Sequence, residues 1–390
     1  MEKQLQEHFL RIKSSPMFRS YYDGIEHYQD APIIQKHQLV DALRERFTLE
    51  GEKKGVYLVR SGGSSHKPLI FPVDIQENLL QRQRLAERLT SEGIFSSETI
   101  ALNLFSYKAL YRTASIFDDV LERCNATTLP ISSSAPHDMA YKISEEFKPD
   151  FILGTPSKLV LYAKYLQIDN KQSNIKNVLY GGEFLLPSQQ KILQETLNTQ
   201  QIYSLYGSAE TGIWAWSDFS NSPMHFHFLE DVLIEIINPN EEGFGHIVVT
   251  NLLRKRFPLF RYQMGDIGKV IEKDGKKILI LAAREDNSFV INADSFFLKD
   301  FQGFLGKVDR YQFQLSMNTS FQNEIKVLLI KSDITKEQEK QYVQEITEGL
   351  QKHLKCDPQF TILTVEFTDE KELYADPTTS KTPKIKDFRD

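Results

Sequence analysis

A chain of 390 residues exceeds what one hydrophobic core usually serves, so a large domain with a smaller one is expected. Hydrophobic residues at 41% and charged residues at 26% fit a globular protein and exclude an extended disordered chain. The formal net charge of −6 supplies no field for gripping a phosphodiester backbone, so no nucleic-acid partner is expected. The two cysteines, Cys124 and Cys356, lie far apart without CxxC spacing, which points away from a disulfide framework or zinc site and toward a reducing cytoplasm. The first fifteen residues are polar and amphipathic, unlike a secretory signal, and no apolar run approaches the roughly 20 residues of a membrane span.

In chain order, residues 56 to 212 alternate short apolar runs with helix-period segments, the pattern of βα units around a largely parallel, doubly wound sheet. The predicted strands are Val56 to Arg60, Thr99 to Phe105, Thr127 to Ile131, Asp150 to Leu153, Asn177 to Leu179 and Gln201 to Leu205. Amphipathic helices are expected at Gln76 to Ser91, Ile116 to Arg123, His137 to Phe147, Ser157 to Leu166 and Pro187 to Leu197. From about residue 217 the pattern turns β-rich, predicting a β subdomain beside the α/β core and a first domain of residues 1–284. Residues 285–390 read as a small α+β domain with a charged helix from Lys336 to Leu354 and a strand from Phe360 to Phe367. Its lysine-rich tail, KELYADPTTSKTPKIKDFRD, is expected to be a mobile surface segment.

Three segments carry candidate chemistry. Arg60 to Pro68 follows an apolar strand and is rich in glycine and serine, so its backbone N–H groups and hydroxyls can cradle phosphate; without a GKS/T ending it is no Walker A loop. Leu205 to Gly212 also follows a strand, with Tyr206 as a stacking face for a base, Glu210 as a hard oxygen for Mg²⁺, and hydroxyls for phosphate. Arg261 to Gly268 holds Asp266 beside a glycine turn, where a carboxylate can accept hydrogen bonds from ribose hydroxyls. Each has a plainer reading as an ordinary turn. His225 and His227 alternate on a strand but are only two, so no metal site is assigned to them, and Trp214 and Trp216 are either acyl-pocket walls or core aromatics.

Taken in order, these segments resemble the adenylate-forming superfamily of acyl-CoA synthetases, most closely its phenylacetate-CoA ligase branch. Ala31 to Lys36 resembles an early "LP.. K" segment, and Ser61 to Pro68 lies in the place of the phosphate loop. Thr155-Pro156-Ser157, Gly181-Gly182-Glu183, Tyr206 to Glu210, Arg261 to Asp266, Arg284-x-Asp286 and Ser380 to Asp387 follow as in the family. The resemblance implies ATP-dependent activation of a carboxylic acid, an aryl or compact one, to an acyl-adenylate and pyrophosphate. Acyl transfer to CoA, a carrier-protein phosphopantetheine thiol or an amine would follow, which makes an acyl carrier protein a candidate partner. It also implies ATP and Mg²⁺ as cofactors, with Lys381 and Glu210 catalytic and Glu210 holding Mg²⁺. The nucleotide-binding set it implies is Ser61, Gly63, Ser64, Ser65, Lys67, Gly182, Glu183, Tyr206, Gly207, Ser208, Thr211, Asp266 and Arg284. Asp286 is the implied hinge about which the small domain swings once adenylation is complete.

The chain departs from the family pattern at His66, Gly62, Ala209 and Ser380. Ala209 removes a hydroxyl just before Glu210, which leaves Ser208 or Thr211 to supply it. Two other readings follow: a fatty acyl-protein synthetase, and a nucleotide-binding relative that keeps the fold without turnover.

Overall fold

The computed structural model describes residues 2–46, 55–60, 70–107, 110–222, 224–282, 288–291, 294–320, 322–331, 334–354, 356–375 and 382–389. The chain divides into two compact units, one built chiefly from residues 1–283 and the other from Arg284–Asp390, which also takes in Leu185–Ile192.

The chain opens with helices α1 (Glu2–Ser14) and α2 (Lys36–Arg46), then strands β1 (Val56–Arg60) and β2 (Ile70–Asp74). Helix α3 (Ile75–Ser91) begins where the Asp74 carboxylate accepts from the backbone N–H groups of Gln76 and Glu77, at 2.9 and 3.1 Å. There follow β3 (Ile100–Asn103), α4 (Thr113–Arg123), β4 (Thr127–Pro130), α5 (His137–Phe147), β5 (Phe151–Gly154), α6 (Pro156–Ile168), β6 (Asn177–Gly181), α7 (Pro187–Leu197) and β7 (Gln201–Ser208). The β-rich stretch comprises β8 (Gly212–Asp218), β9 (His225–Phe228), β10 (Val232–Ile237), β11 (Gly245–Asn251), β12 (Leu259–Lys273) and β13 (Lys276–Leu281).

Strands β7, β6, β5, β3 and β4 lie side by side and parallel. The chain steps one way from β3 to β4 and the other way from β4 through β5 and β6 to β7, so right-handed crossovers place α4 on one face and α5 to α7 on the other. This is the doubly wound arrangement, with its order reversing between β3 and β5. The β-rich stretch does not close on itself. It continues the same sheet through β8 and β9, and the pairs Leu279↔Phe226 and Ile280↔His225 complete eleven strands.

The expectation that Val56 to Arg60 joins the parallel sheet is corrected. Among the described residues β1 pairs antiparallel with β2 alone, because only a short stretch separates them, whereas a parallel neighbour requires a long crossover. Trp214 and Trp216 are core side chains, 0% and 3% exposed, with indole N–H groups donating to Thr211 Oγ1 and Glu92 Oε2. His227 stacks on Trp216, and no group of three metal-capable side chains occurs among the described residues. No helix among them is long and apolar enough to cross a membrane.

A second core joins α1 and α2 to β12, with Phe9 packed against Tyr22 and Phe260. His8 lies in it, 3% exposed, its Nε2–H donating to the Leu259 carbonyl at 3.3 Å. Burial lowers its pKa from 6.5 to about 4, aided by the charges of Arg11 and Lys255. Below pH 6.5 the unfolded chain takes up a proton that the folded chain refuses until about pH 4, so stability falls as pH drops through that window. Urea unfolding should show about 3 kcal/mol of that loss absent from His8→Gln, which keeps a donor but does not titrate.

The small unit contains a hairpin of β14 (Ser288–Ile291) and β15 (Asp294–Phe297), a short helix α8 (Gln302–Leu305), then β16 (Arg310–Met317), β17 (Asn323–Ile330), α9 (Lys336–Leu354), β18 (Thr361–Phe367) and β19 (Ile385–Asp387). Four strands form a sheet ordered β18, β17, β16, β19, and Phe301, Phe313, Ile346 and Leu350 fill its core. The end of the tail is therefore a strand and not a loose surface segment. Ile385 packs against that core while the ammonium of Lys386 lies 4.7 Å from the Tyr374 ring centre, so the basic residues cover aromatic rings as well as meeting water.

Candidate active site

Open α/β sheets place ligands beyond the carboxyl ends of their parallel strands. At the end of β5, Thr155-Pro156-Ser157 starts α6, which has no side-chain cap of its own. The cap comes from the next strand. Glu183, just after β6, accepts from Ser157 N at 2.9 Å and from Ser157 Oγ at 2.7 Å. Burial pushes the Glu183 carboxyl up, and the two bonds from Ser157 offset this only in part. Gly182 stands beside it with φ of +83°.

At the end of β7 the chain turns straight back into β8, with Ala209, Glu210 and Thr211 between the paired Ser208 and Gly212. Two glycines permit the turn. A Cβ on Gly207 would sit 2.0 Å from the Gly212 carbonyl oxygen, and Gly212 itself has φ of +72°. Thr211 is wholly buried: its hydroxyl accepts from Ser208 N and from the Trp214 indole, and its own N–H donates to Ser208 Oγ. It builds the turn together with the Ser208 hydroxyl, and of the two Ser208 is half-buried where Thr211 is wholly buried, which makes it the more accessible hydroxyl to serve in Ala209's stead. Thr211→Val should cost roughly 2 to 3 kcal/mol in urea unfolding, since it strips an acceptor from two N–H groups, one of them the buried Trp214 indole.

Two buried carboxylates lie at this site, each bonded by a tyrosine hydroxyl. Glu210, 3% exposed, accepts from the Tyr262 hydroxyl at 3.2 Å, its only hydrogen-bond partner among the described residues. Asp266, 7% exposed, accepts from the Tyr206 hydroxyl at 2.7 Å. Burial first, then the charge and hydrogen bond of Glu210 and the charge of Asp266, push the Tyr262 phenol well above the ordinary range. The Tyr206 ring is held edge-on by Trp214 at 5.2 Å and tilted against Phe226 at 5.6 Å.

Asp266 lies within the long strand β12, just past Gly265, whose φ is +88°. β12 is bridged by the early segment the sequence had marked: Ile34 N donates to Arg261 O and Gln263 N donates to Ile34 O, both at 2.9 Å. Arg261 is structural, ion-paired with Glu235 at 3.0 Å and donating to the Ala31 carbonyl.

The structure thus brings Tyr206, Glu210 and Asp266 together through Tyr262, and sets Gly182 and Glu183 on the adjacent strand end. Ser61, Gly63, Ser64, Ser65, Lys67, Arg284, Asp286 and Lys381 lie outside the described residues. Sequence reasoning missed Tyr262, which only the fold brings to Glu210 and within the field of Asp266.

No family model matches the chain. Indoleacetate–lysine synthetase of Pseudomonas savastanoi is 30% identical over 273 residues, covering 67% of this chain and 66% of that protein, just under two thirds of its length. Phenylacetate-coenzyme A ligase of Aromatoleum evansii is 20% identical over 383 residues, 87% of this chain and 84% of that protein. The chain belongs to the adenylate-forming superfamily. Solved structures agree on the fold of the family. 2-Hydroxyisobutyryl-CoA ligase in complex with 2-HIB-AMP and CoA matches with a TM-score of 0.74 over 100% of this chain and 89% of that one, at 14% identity. The amide bond synthetase McbA from Marinactinospora thermotolerans gives 0.53 over 85% and 68%, also at 14% identity.

Proposed function

We infer that the chain activates a small carboxylic acid with ATP, releasing pyrophosphate, and passes the acyl group of the resulting adenylate to an acceptor thiol or amine. The observation that carries this reading is the Tyr206–Asp266 and Glu210–Tyr262 pair of bonds at the carboxyl edge of the sheet. Asp266 would hold the ribose hydroxyls, with Tyr206 fixing its orientation. Ser208 would donate to phosphate.

The residues fit a divalent cation. Glu210 presents two oxygens and spends one on Tyr262, which leaves the other for a cation. Mg²⁺ bound with ATP at Glu210 would neutralise phosphate oxygens that otherwise repel the attacking carboxylate. Ser61 to Lys67 and Lys381 join this reading through the resemblance, as phosphate loop and catalytic lysine, and Arg284 and Asp286 as linker and hinge.

Acid-dependent exchange of labelled pyrophosphate into ATP tests the proposal, and no exchange across a broad panel of aryl and short aliphatic acids would overturn it. The acceptor is read second. Because one relative is indoleacetate–lysine synthetase, an amine stands beside CoA, and offering both with a pre-formed adenylate distinguishes amide from thioester by mass.

A further inference from the structure

We propose that Gln81 and Asn251 are positioning residues that lock the Glu210 turn from behind, so that they act on the ATP half-reaction alone; this rests on the adenylation reading above. The buried face of α3 is divided. Its second half is apolar, Leu85, Ala86 and Leu89, but its first half is polar, Asn78, Gln81 and Arg82, all 7% exposed or less. A buried helix face normally carries apolar side chains, so three polar ones in succession must each answer a partner.

The partner of Gln81 is the backbone of the turn. Its Nε2 donates to the carbonyls of Thr211, at 3.0 Å, and Ile213, at 2.9 Å. Asn251, at the end of β11 and 0% exposed, donates to the same Thr211 carbonyl at 2.8 Å and lies 3.4 Å from Gln81 Oε1. Arg254 backs the same place: a Cβ on Gly212 would meet its Nη2 at 2.5 Å and Gln81 Nε2 at 2.7 Å. Arg254 is 1% exposed and is held through Asn78 Oδ1 at 3.1 Å. Two segments distant in sequence, α3 and the end of β11, therefore converge on the peptide one residue past Glu210.

Thr211 takes both its carbonyl bonds from these two amides, while its side chain closes the turn toward Ser208. The turn cannot rotate without breaking them. The Glu210 carboxylate, with Tyr262 as its sole hydrogen-bond partner among the described residues, gains its aim from the backbone. Loss of that aim affects the step in which phosphate charge is neutralised and spares the step that begins from a finished adenylate.

The test compares Gln81→Met and Asn251→Ala with the unmodified chain in two assays, pyrophosphate–ATP exchange and acyl transfer from a supplied adenylate. Each variant should lower the exchange rate about tenfold with KM for the acid unchanged, and leave transfer within about twofold. The double variant should lose less than the product of the two, because both amides serve one carbonyl. Equal losses in both half-reactions, or unchanged exchange, would overturn the positioning role. Should Gln81→Met fail to fold, Asn251→Ala retains both Gln81 bonds and carries the same comparison. Absence of exchange in the unmodified chain sinks the adenylation reading itself, a result distinct from any difference between variants.

Discussion

Replacing Lys381 by Ala is expected to lower acid-dependent pyrophosphate exchange by about 10²- to 10³-fold while acyl transfer from a supplied adenylate stays within a few fold. The expectation joins the resemblance to a device in the small unit. Gln312, 0% exposed on β16, donates through Nε2 to the carbonyls of Tyr374 at 2.9 Å and Pro383 at 2.8 Å, and its Oε1 accepts from Tyr374 N at 2.8 Å. Phe313 N then donates to Lys384 O at 2.8 Å, and β19 runs parallel to β16 from there. One buried amide thus anchors the chain on both sides of Lys381. A lysine needed only as a charge during adenylation has no duty once the adenylate exists, hence the split between assays. Parallel loss in both would place Lys381 in general stability instead, and no loss would remove it from the mechanism.

The alternation of strands and helices between residues 100 and 205 was legible because buried parallel strands are short apolar runs with crossover helices between them. The same signal misassigned β1, since an apolar pentapeptide reads alike whether its partner is the next strand in a hairpin or a distant parallel one. β19 was hidden for another reason. Its lysine looked solvated, and only the rings of Tyr374 and Phe388 beside the Lys386 ammonium show that the side chain is used for packing.

Within the site, the order of motifs made Tyr206, Glu210 and Asp266 visible, but not what they do to each other. Tyr206 and Asp266 are bonded across a gap of 60 residues, and the departure at Ala209 acquires meaning only once Thr211 is seen to be spent on the turn. The helix N-terminal cap supplied by Glu183 was equally out of reach, because a cap borrowed from another strand leaves no local spacing. Polar residues on the buried face of α3 were the one overlooked signal in the sequence: Asn78, Gln81 and Arg82 interrupt an otherwise amphipathic pattern at helical spacing.

Glu210→Gln should reduce the exchange rate about 100-fold or more, with melting temperature nearly unchanged. The substitution is isosteric, and its amide oxygen can still accept from Tyr262, so the buried hydroxyl keeps its partner. What disappears is the negative charge. A cation that lowers the barrier by several kcal/mol is held less firmly by a neutral amide, and each 1.36 kcal/mol lost is tenfold in rate. The loss should therefore shrink as Mg²⁺ is raised, because weaker binding is recovered by mass action, whereas a residue acting only through the fold would show no such recovery. Tyr262 offers an independent readout of the same charge. Burial is the first cause of its raised phenol and Glu210 the second, so in Glu210→Gln the phenol should titrate at lower pH than in the unmodified chain, observable by ultraviolet difference absorbance against Tyr262→Phe. An exchange rate that survives Glu210→Gln intact, alongside a shifted Tyr262, would show that the carboxylate is present but that the cation is held elsewhere.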